Sequence, residues 1–128
     1  MAPKKKILVV DDSETSLYLV RAIFEDNPNI ELHLERDSLQ AIKVLKKVMP
    51  DLLILDIMMP GIDGFELLAK IKKDKTTSHI PILMLSAKQD GESQYKAMEM
   101  EAVGYLKKPI VVKEIKSKVN SILKLENT

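Results

Sequence analysis

Residues 52–68 read LLILDIMMPGIDGFELL, in which four large apolar side chains are followed by one carboxylate, Asp56. An uninterrupted apolar run of this length is typical of a strand that is buried on both faces of a parallel sheet. In the tetrapeptide at 59–62, proline and glycine occupy the two central positions that a type II turn favours. The segment therefore predicts a central strand that ends on Asp56 and a turn that folds the chain back over that carboxylate.

Apolar runs alternate with segments of helical spacing along the rest of the chain. Two segments also carry a capping box at the predicted start of a helix, with Asp37 followed by Gln40 and Asp63 followed by Glu66. Alternating strands and helices are typical of an α/β fold, a doubly wound parallel sheet with helices on both faces. The runs that predict its five strands are Ile7–Val10, Ile30–Leu34, Leu52–Leu55, Ile82–Leu85 and Val103–Leu106.

Composition limits the class of protein. The 128 residues predict a single domain, 1–128, with 45% hydrophobic and 30% charged residues, a balance ordinary for a soluble protein. The net charge of +1 gives no general attraction to nucleic acid or to an anionic membrane, so we expect neither as a direct partner. The absence of cysteine excludes disulfides, thiolate metal sites and cysteine nucleophiles. No apolar run is long enough for a membrane span, and we expect a cytoplasmic location.

Polar residues stand at the ends of four predicted strands. In an open parallel sheet these carboxyl ends meet at one edge, where ligands bind. Each residue alone would be an ordinary cap, turn or surface residue. Together, three carboxylates at neighbouring strand ends would repel one another in the absence of a cation. The set is Asp11 and Asp12 after the first strand, Asp56 after the third, Ser86 after the fourth, and Lys107, Lys108 and Pro109 after the fifth.

Phosphoryl transfer is the chemistry that uses such a set. Mg²⁺ is bound by carboxylate and phosphate oxygens, and Mn²⁺ is the alternative ion. A further carboxylate can act as the nucleophile and form an aspartyl phosphate. An ammonium group and a hydroxyl neutralise and bind the oxygens of the transferring group.

Four motifs make the chain similar to a known family. The segments VVDDS (9–13), LDIMMPGIDG (55–64), LSA (85–87) and YLKKP (105–109) occur in the order and spacing of the receiver domain of two-component response regulators. The chain resembles that family over nearly its whole length. The resemblance implies a flavodoxin-like sheet with strand order 2-1-3-4-5 and five helices.

The resemblance also implies a role for each site residue. Asp56 would accept a phosphoryl group from a phosphohistidine of a sensor histidine kinase or a histidine phosphotransfer protein. Asp12, Asp56 and the backbone carbonyl of Met58 would bind Mg²⁺, and Asp11 would act largely through water. The other implied roles are phosphoryl binding by Ser86 and Lys108, a switch formed by Ser86 and the ring of Tyr105, and a cis peptide bond before Pro109.

Three further positions bear on how this chain compares with the family. Glu101 stands where the family usually has glycine, and a left-handed backbone there would cost about 1–2 kcal/mol in a residue with a side chain. We expect Met58 and Lys88, near the mouth of the site, to tune the rate at which water removes the phosphoryl group.

Residues 89–100 contain few large apolar groups, so the sequence predicts a lightly anchored fourth helix. Phosphorylation would then change the surface formed by helix four, strand five and helix five. That surface would bind an output partner, an attached domain or a second copy of the chain. The chain would catalyse only its own phosphorylation and dephosphorylation, either as a free-standing regulator or as part of a longer protein.

Alternative functions remain open from the sequence. A haloacid-dehalogenase-like phosphatase needs an acid/base aspartate two residues after its nucleophile, where this chain has Met58. A nucleotide-binding domain needs a glycine-rich first turn, which residues 9–16 lack. A phosphodonor domain needs a histidine exposed on a helix, whereas His33 and His79 lie near predicted strands. A phosphorylation-independent binding scaffold would have lost one of the site residues, and none is missing.

Overall fold

The computed structural model describes residues 3–87 and 91–125. Five strands and five α-helices alternate along this part of the chain. Their bounds are β1 Lys5–Val10, α1 Glu14–Phe24, β2 Ile30–Glu35, α2 Ala41–Val48, β3 Leu52–Asp56, α3 Gly64–Lys73, β4 Ile82–Ser86, α4 Gly91–Glu99, β5 Gly104–Lys107 and α5 Val112–Leu123.

All five strands are parallel and lie in one sheet in the order β2-β1-β3-β4-β5. This order confirms the predicted doubly wound α/β fold. The three inner strands are the most apolar, because their side chains are covered on both faces; every residue of β3 and β4 is buried. The order also places the ends of β1, β3 and β4 side by side.

Two apolar cores cover the two faces of the sheet. On one face, α2, α3 and α4 pack against alternate residues of the strands, with Leu45, Leu68 and Ala97 among the buried helical residues. On the other face, α1 and α5 contribute Phe24 and Val119. Because strand residues alternate between the faces, each inner strand supplies side chains to both cores.

The two predicted capping boxes begin different kinds of helix. Asp63 caps α3 as predicted, and its carboxylate accepts a hydrogen bond from the backbone N–H of Glu66 at 2.9 Å. Asp37 instead caps a short 3-10 helix, Ser38–Gln40, and accepts from the N–H of Leu39. The donor N–H lies two residues after the cap, instead of three, because a 3-10 turn is tighter than an α-turn. The following helix, α2, therefore begins only at Ala41.

Helix α4 is attached to the sheet by small side chains. Its buried residues are Ser93 and Ala97. Two of its large apolar side chains face outward, with 67% of Tyr95 and 50% of Met98 exposed. A cation–π contact also joins α4 to α3, with the ammonium nitrogen of Lys96 4.4 Å from the centre of the Phe65 ring. Among the residues described, no helix is long and apolar enough to cross a membrane.

The connection from α4 to β5 contains a strained residue. Glu101 has a φ of +68°, which lies in the left-handed region. The strand predicted from Val103 begins one residue later, at Gly104, and 42% of Val103 is exposed. The left-handed turn ends the helix at the cost of placing a Cβ atom in a backbone region that L-residues disfavour.

We expect Glu101→Gly to raise the free energy of unfolding by about 0.5–1 kcal/mol. Glycine removes the Cβ strain, and the greater freedom of glycine in the unfolded chain offsets part of the gain. Urea unfolding followed by circular dichroism measures the change. The matched control is Glu101→Ala, which removes the carboxylate but keeps the Cβ atom. A gain as large in the alanine variant would show that the carboxylate, and not the backbone, is the source of the strain.

Candidate functional site

Three carboxylates converge at the carboxyl edge of the sheet. Asp11 follows β1, Asp56 ends β3, and these two strands are hydrogen-bonded neighbours. Oxygen atoms from Asp11, Asp12 and Asp56 all lie within 4.8 Å of one another. Asp11 is fully buried and Asp56 is 2% exposed, whereas Asp12 is more open to solvent. The sequence predicted this convergence from the strand ends.

Lys108 brings a positive charge into the cluster. The backbone N–H of Lys108 donates to the carbonyl of Ser86 at 2.7 Å, which holds the end of β5 against the end of β4. Its ammonium nitrogen lies 2.9 Å from Oδ2 and 3.2 Å from Oδ1 of Asp11, and 3.4 Å from Oδ2 of Asp56. The peptide bond between Lys108 and Pro109 is cis.

The local electrostatics disfavour a charged Asp56. Burial is the main cause, and the neighbouring carboxylate of Asp11 adds to it; together they raise the pKa of Asp56 to about 7. The ammonium of Lys108 acts in the opposite direction but does not overcome these effects. In the metal-free protein, Asp56 therefore takes up a proton far more readily than an exposed aspartate does.

The donor set fits a hard divalent cation. The cluster supplies only carboxylate oxygens, which Mg²⁺ and Mn²⁺ prefer. One of these oxygens, Oδ2 of Asp11, is buried and accepts no hydrogen bond from the described residues, although the Lys108 ammonium is close to it as an ion pair. A cation at the cluster would relieve both the mutual repulsion and the incomplete solvation of this oxygen.

The remaining predicted site residues differ in their burial and in their position in the fold. Ser86 is fully buried at the end of β4, the strand beside Asp56. Tyr105 lies in β5 opposite Met84, and only 9% of it is exposed, so it belongs to the buried core on one face of the sheet. Met58 is 53% exposed on the loop after β3. Lys88 lies outside the described residues.

The loop after Asp56 contains two contacts that the sequence did not predict. At its end, a Cβ atom on Gly64 would lie 2.3 Å from the carbonyl oxygen of Asp56, so α3 begins directly against the end of β3. At its turn, Gly61 has a φ of +88°, as the second central position of a type II turn requires. A Cβ atom on Gly61 would lie 3.3 Å from the Ser38 hydroxyl and 3.4 Å from the Leu39 side chain, so the turn lies close against the 3-10 helix.

Comparisons with known proteins agree with this geometry. Residues 7–120 match the model of the response regulator receiver domain. The chain is 36% identical over 105 residues to response regulator PleD of Caulobacter vibrioides, covering 82% of this chain and 23% of PleD. It is 34% identical over 120 residues to the alkaline phosphatase synthesis transcriptional regulatory protein PhoP of Bacillus subtilis, covering 94% of this chain and 49% of PhoP.

A solved structure of a response regulator is also similar to this chain. The Mn²⁺-bound form of response regulator Rcp1 superposes with a TM-score of 0.80 at 29% identity, over 97% of this chain and 96% of that one. The chain thus spans a quarter to a half of the two curated relatives named above but nearly all of this structure. The sequence match and the fold therefore lead to the same family.

We expect Asp56→Asn to stabilise the metal-free protein more at pH 8 than at pH 5. The folded-state pKa of Asp56 is raised from 3.8 to about 7, so the wild type is fully stabilised by the bound proton below pH 3.8 and loses that contribution as pH rises through about 7. Asparagine does not titrate, so the free energy of unfolding of the variant should exceed that of the wild type by about 2 kcal/mol at pH 8. This value allows for the charge that Asp56 shares with Asp11 and Lys108.

Urea unfolding in EDTA at the two pH values measures this difference. Asp26→Asn is the control, because its exposed side chain follows α1 and lies outside the cluster. The difference in the free energy of unfolding between that variant and the wild type should be the same at both pH values. An equal effect of Asp56→Asn at pH 5 and pH 8 would contradict the raised pKa.

Proposed function

Because the chain belongs to the response regulator receiver domain family of two-component signalling, we propose that it accepts a phosphoryl group on Asp56. The donor is a phosphohistidine of a sensor histidine kinase or a histidine phosphotransfer protein. The observation that carries the proposal is the contact of a buried Asp56 with both Lys108 and the acidic pair at the end of β1. Asp56 ends β3, which lies between β1, the strand that precedes the acidic pair, and β4, the strand that ends on Ser86.

Mg²⁺, or Mn²⁺ in its place, is the metal that the carboxylates would bind. Asp12, Asp56 and the backbone carbonyl of Met58 are the proposed direct ligands, and Asp11 acts largely through water. When bound, the ion neutralises charge on the phosphoryl oxygens. The convergent oxygens of the cluster support this assignment.

Lys108 and Ser86 complete the proposed phosphoryl site. The Lys108 ammonium supplies a fixed positive charge that already lies 3.4 Å from Asp56, and it can bind a phosphoryl oxygen with little rearrangement. The Ser86 hydroxyl donates a hydrogen bond to another oxygen. Met58 and Lys88 are proposed to tune the loss of the phosphoryl group to water, since they flank the mouth of the site in sequence.

Receiver domains act in signalling rather than as general enzymes, and they work with histidine kinases and output domains. For this chain we propose one receiver domain over 1–128, located in the cytoplasm, that catalyses only its own phosphorylation and dephosphorylation. Phosphatase chemistry of the haloacid dehalogenase type finds no support, because Met58 replaces the required acid/base aspartate.

The proposed output is a change at the surface formed by α4, β5 and α5. Helix α4 is held by small buried side chains, and its exposed Tyr95 and Met98 are available to a partner, an attached domain or a second copy. The ring of Tyr105 is already buried, so we propose that phosphorylation favours this inward position, with Ser86 drawn to the phosphate, over an outward alternative. The phosphoryl group supplies the differential contact that such a switch needs.

Incubation with acetyl phosphate and Mg²⁺ should add one phosphate to the wild type and none to Asp56→Asn, because, of the two carboxylates that contact Lys108, only Asp56 ends the strand that lies between β1 and β4. Intact-mass spectrometry measures the addition. The matched control is Asp63→Asn, which removes a carboxylate from the same loop but keeps a good helix cap. Undiminished phosphate in Asp56→Asn would exclude the assignment.

The metal requirement is tested in the same assay. Excess EDTA should abolish the addition, and Asp12→Ala should reduce it at least tenfold, because a direct carboxylate ligand is lost. Full phosphorylation in EDTA would contradict the proposed role of the metal.

Beryllofluoride, a phosphoryl mimic, should change hydrogen exchange in α4 and β5 and leave α2 unchanged. The expected direction is slower exchange in β5, because the inward Tyr105 ring is stabilised. Mass spectrometry of peptides from the two regions measures the change. If α4 and β5 are unchanged while the mimic is bound at Asp56, the output surface lies elsewhere on the domain.

A further inference from the structure

The loop between β3 and α3, residues 57–63, is closed at its base. The backbone N–H of Gly64 donates to the carbonyl of Ile57 at 2.8 Å. A Cβ atom on Gly64 would lie 2.3 Å from the Asp56 carbonyl oxygen and 2.7 Å from the Ile57 Cα atom. The start of α3 therefore sits directly on the backbone that follows Asp56, and no side chain fits between them.

The tip of the same loop is held by a residue from another part of the chain. The Ser38 hydroxyl donates to the carbonyl of Pro60 at 2.7 Å and accepts a longer bond, 3.5 Å, from the N–H of Ile62. Ser38 is 4% exposed and lies 22 residues from Pro60 in sequence. This one hydroxyl therefore contacts the backbone on both sides of Gly61.

Within residues 57–64, all of which the structure describes, the bond at the base is the only backbone–backbone hydrogen bond. Across the turn, therefore, no backbone–backbone hydrogen bond joins Met59 to Ile62. Met58 lies between the two attachment points, and its side chain is 53% exposed, so that side chain contributes little to fixing the backbone. Its neighbours Ile57 and Met59 are buried in the core, and the N–H of Ile57 donates to the carbonyl of Leu85 at 3.2 Å. The Met58 carbonyl is therefore positioned by these neighbours, by the base of the loop and by Ser38 at its tip.

We infer that Ser38 is a positioning residue for metal binding at the carboxylate cluster. Its hydroxyl restricts the loop backbone and so limits the movement of the Met58 carbonyl. The inference rests on the proposed Mg²⁺ site, in which that carbonyl is a ligand. Residues that orient a metal ligand through hydrogen bonds commonly affect affinity without touching the ion.

A purely structural role is the competing explanation, because any buried hydroxyl that donates a hydrogen bond stabilises the fold. Thr77 offers a matched comparison. It is 1% exposed, and its hydroxyl donates to the carbonyl of Ile71 at 2.9 Å, close in geometry to the Ser38 bond. Thr77 precedes β4 and therefore lies at the edge of the sheet opposite the cluster.

The experiment measures the dissociation constant of Mg²⁺ by isothermal titration calorimetry on the full metal-free chain. The variants are Ser38→Ala, Ser38→Cys and Thr77→Ala, with urea unfolding of each as a stability reference. Ser38→Cys keeps the volume of the side chain but is a weaker hydrogen-bonding partner, so it serves if the alanine variant does not fold. Hydrogen exchange of residues 58–62 reports loop mobility independently.

We expect Ser38→Ala to weaken Mg²⁺ binding by about 3- to 10-fold and Ser38→Cys by a smaller factor. Exchange at residues 58–62 should be faster in both. Thr77→Ala should lose comparable stability but bind Mg²⁺ within about twofold of the wild type, because its bond lies far from the loop.

Three results would overturn the inference, and they are distinguishable. If the wild type binds Mg²⁺ and both Ser38 variants bind it equally well, Ser38 has only a structural role and the proposed function stands. If the wild type binds no Mg²⁺, the proposed metal site fails, and the inference about Ser38 fails with it. A loss of affinity in Thr77→Ala equal to that in Ser38→Ala would also contradict the inference, because it would link affinity to stability alone.

Discussion

The ion contacts of Lys108 with Asp11 and Asp56 are the interaction on which the functional end of the molecule depends. Parallel strands bring their carboxyl ends together, and here that brings two buried carboxylates and a third, more open one within 4.8 Å. Without a positive group, such a cluster would strongly favour protonation or unfolding. Lys108 offsets part of this repulsion, and the raised pKa of Asp56 shows that the compensation is incomplete. The remaining imbalance favours the binding of a cation.

The rest of the fold holds the three carboxylates together in spite of their repulsion. The inner strands β1, β3 and β4 are covered on both faces, so their ends cannot move apart to relieve the repulsion without exposing apolar surface. A backbone hydrogen bond from Lys108 to Ser86 ties the fifth strand to the fourth at the same edge. Stability of the core is thus used to hold an electrostatically unfavourable arrangement, as functional sites often require.

Features that depend on local pattern were predictable from the sequence. The apolar runs predicted the strands to within one or two residues, and their ends predicted the convergence of Asp11, Asp12 and Asp56. Asp63 was recognised as a helix cap, because capping depends on residues only three positions apart. The left-handed backbone at Glu101 could be anticipated only because a family resemblance marked the position.

Features that depend on contacts between distant segments were not predictable. Asp37 has the spacing of a capping box, yet the chain forms a 3-10 turn there, where Ser38 meets the loop at Pro60, 22 residues away. No periodicity in the sequence signals that contact. The buried position of Tyr105 likewise depends on packing against residues from α4 and neighbouring strands, and the sequence alone predicted only that the ring could turn inward.

The two sides of the site are held by contacts of different strength, and this difference suits a switch. On one side, the loop after Asp56 is fixed at its base by Gly64 and at its tip by Ser38. On the other, α4 relies on Ser93, Ala97 and a cation–π contact from Lys96 that contributes about 0.5–1 kcal/mol at an exposed site. A perturbation at Asp56 should therefore move α4 before it moves the loop, because displacement follows the weaker attachment. In the proposed switch, the loop after Asp56 would stay ordered during phosphoryl transfer, and α4, with its few buried side chains, would change position in response.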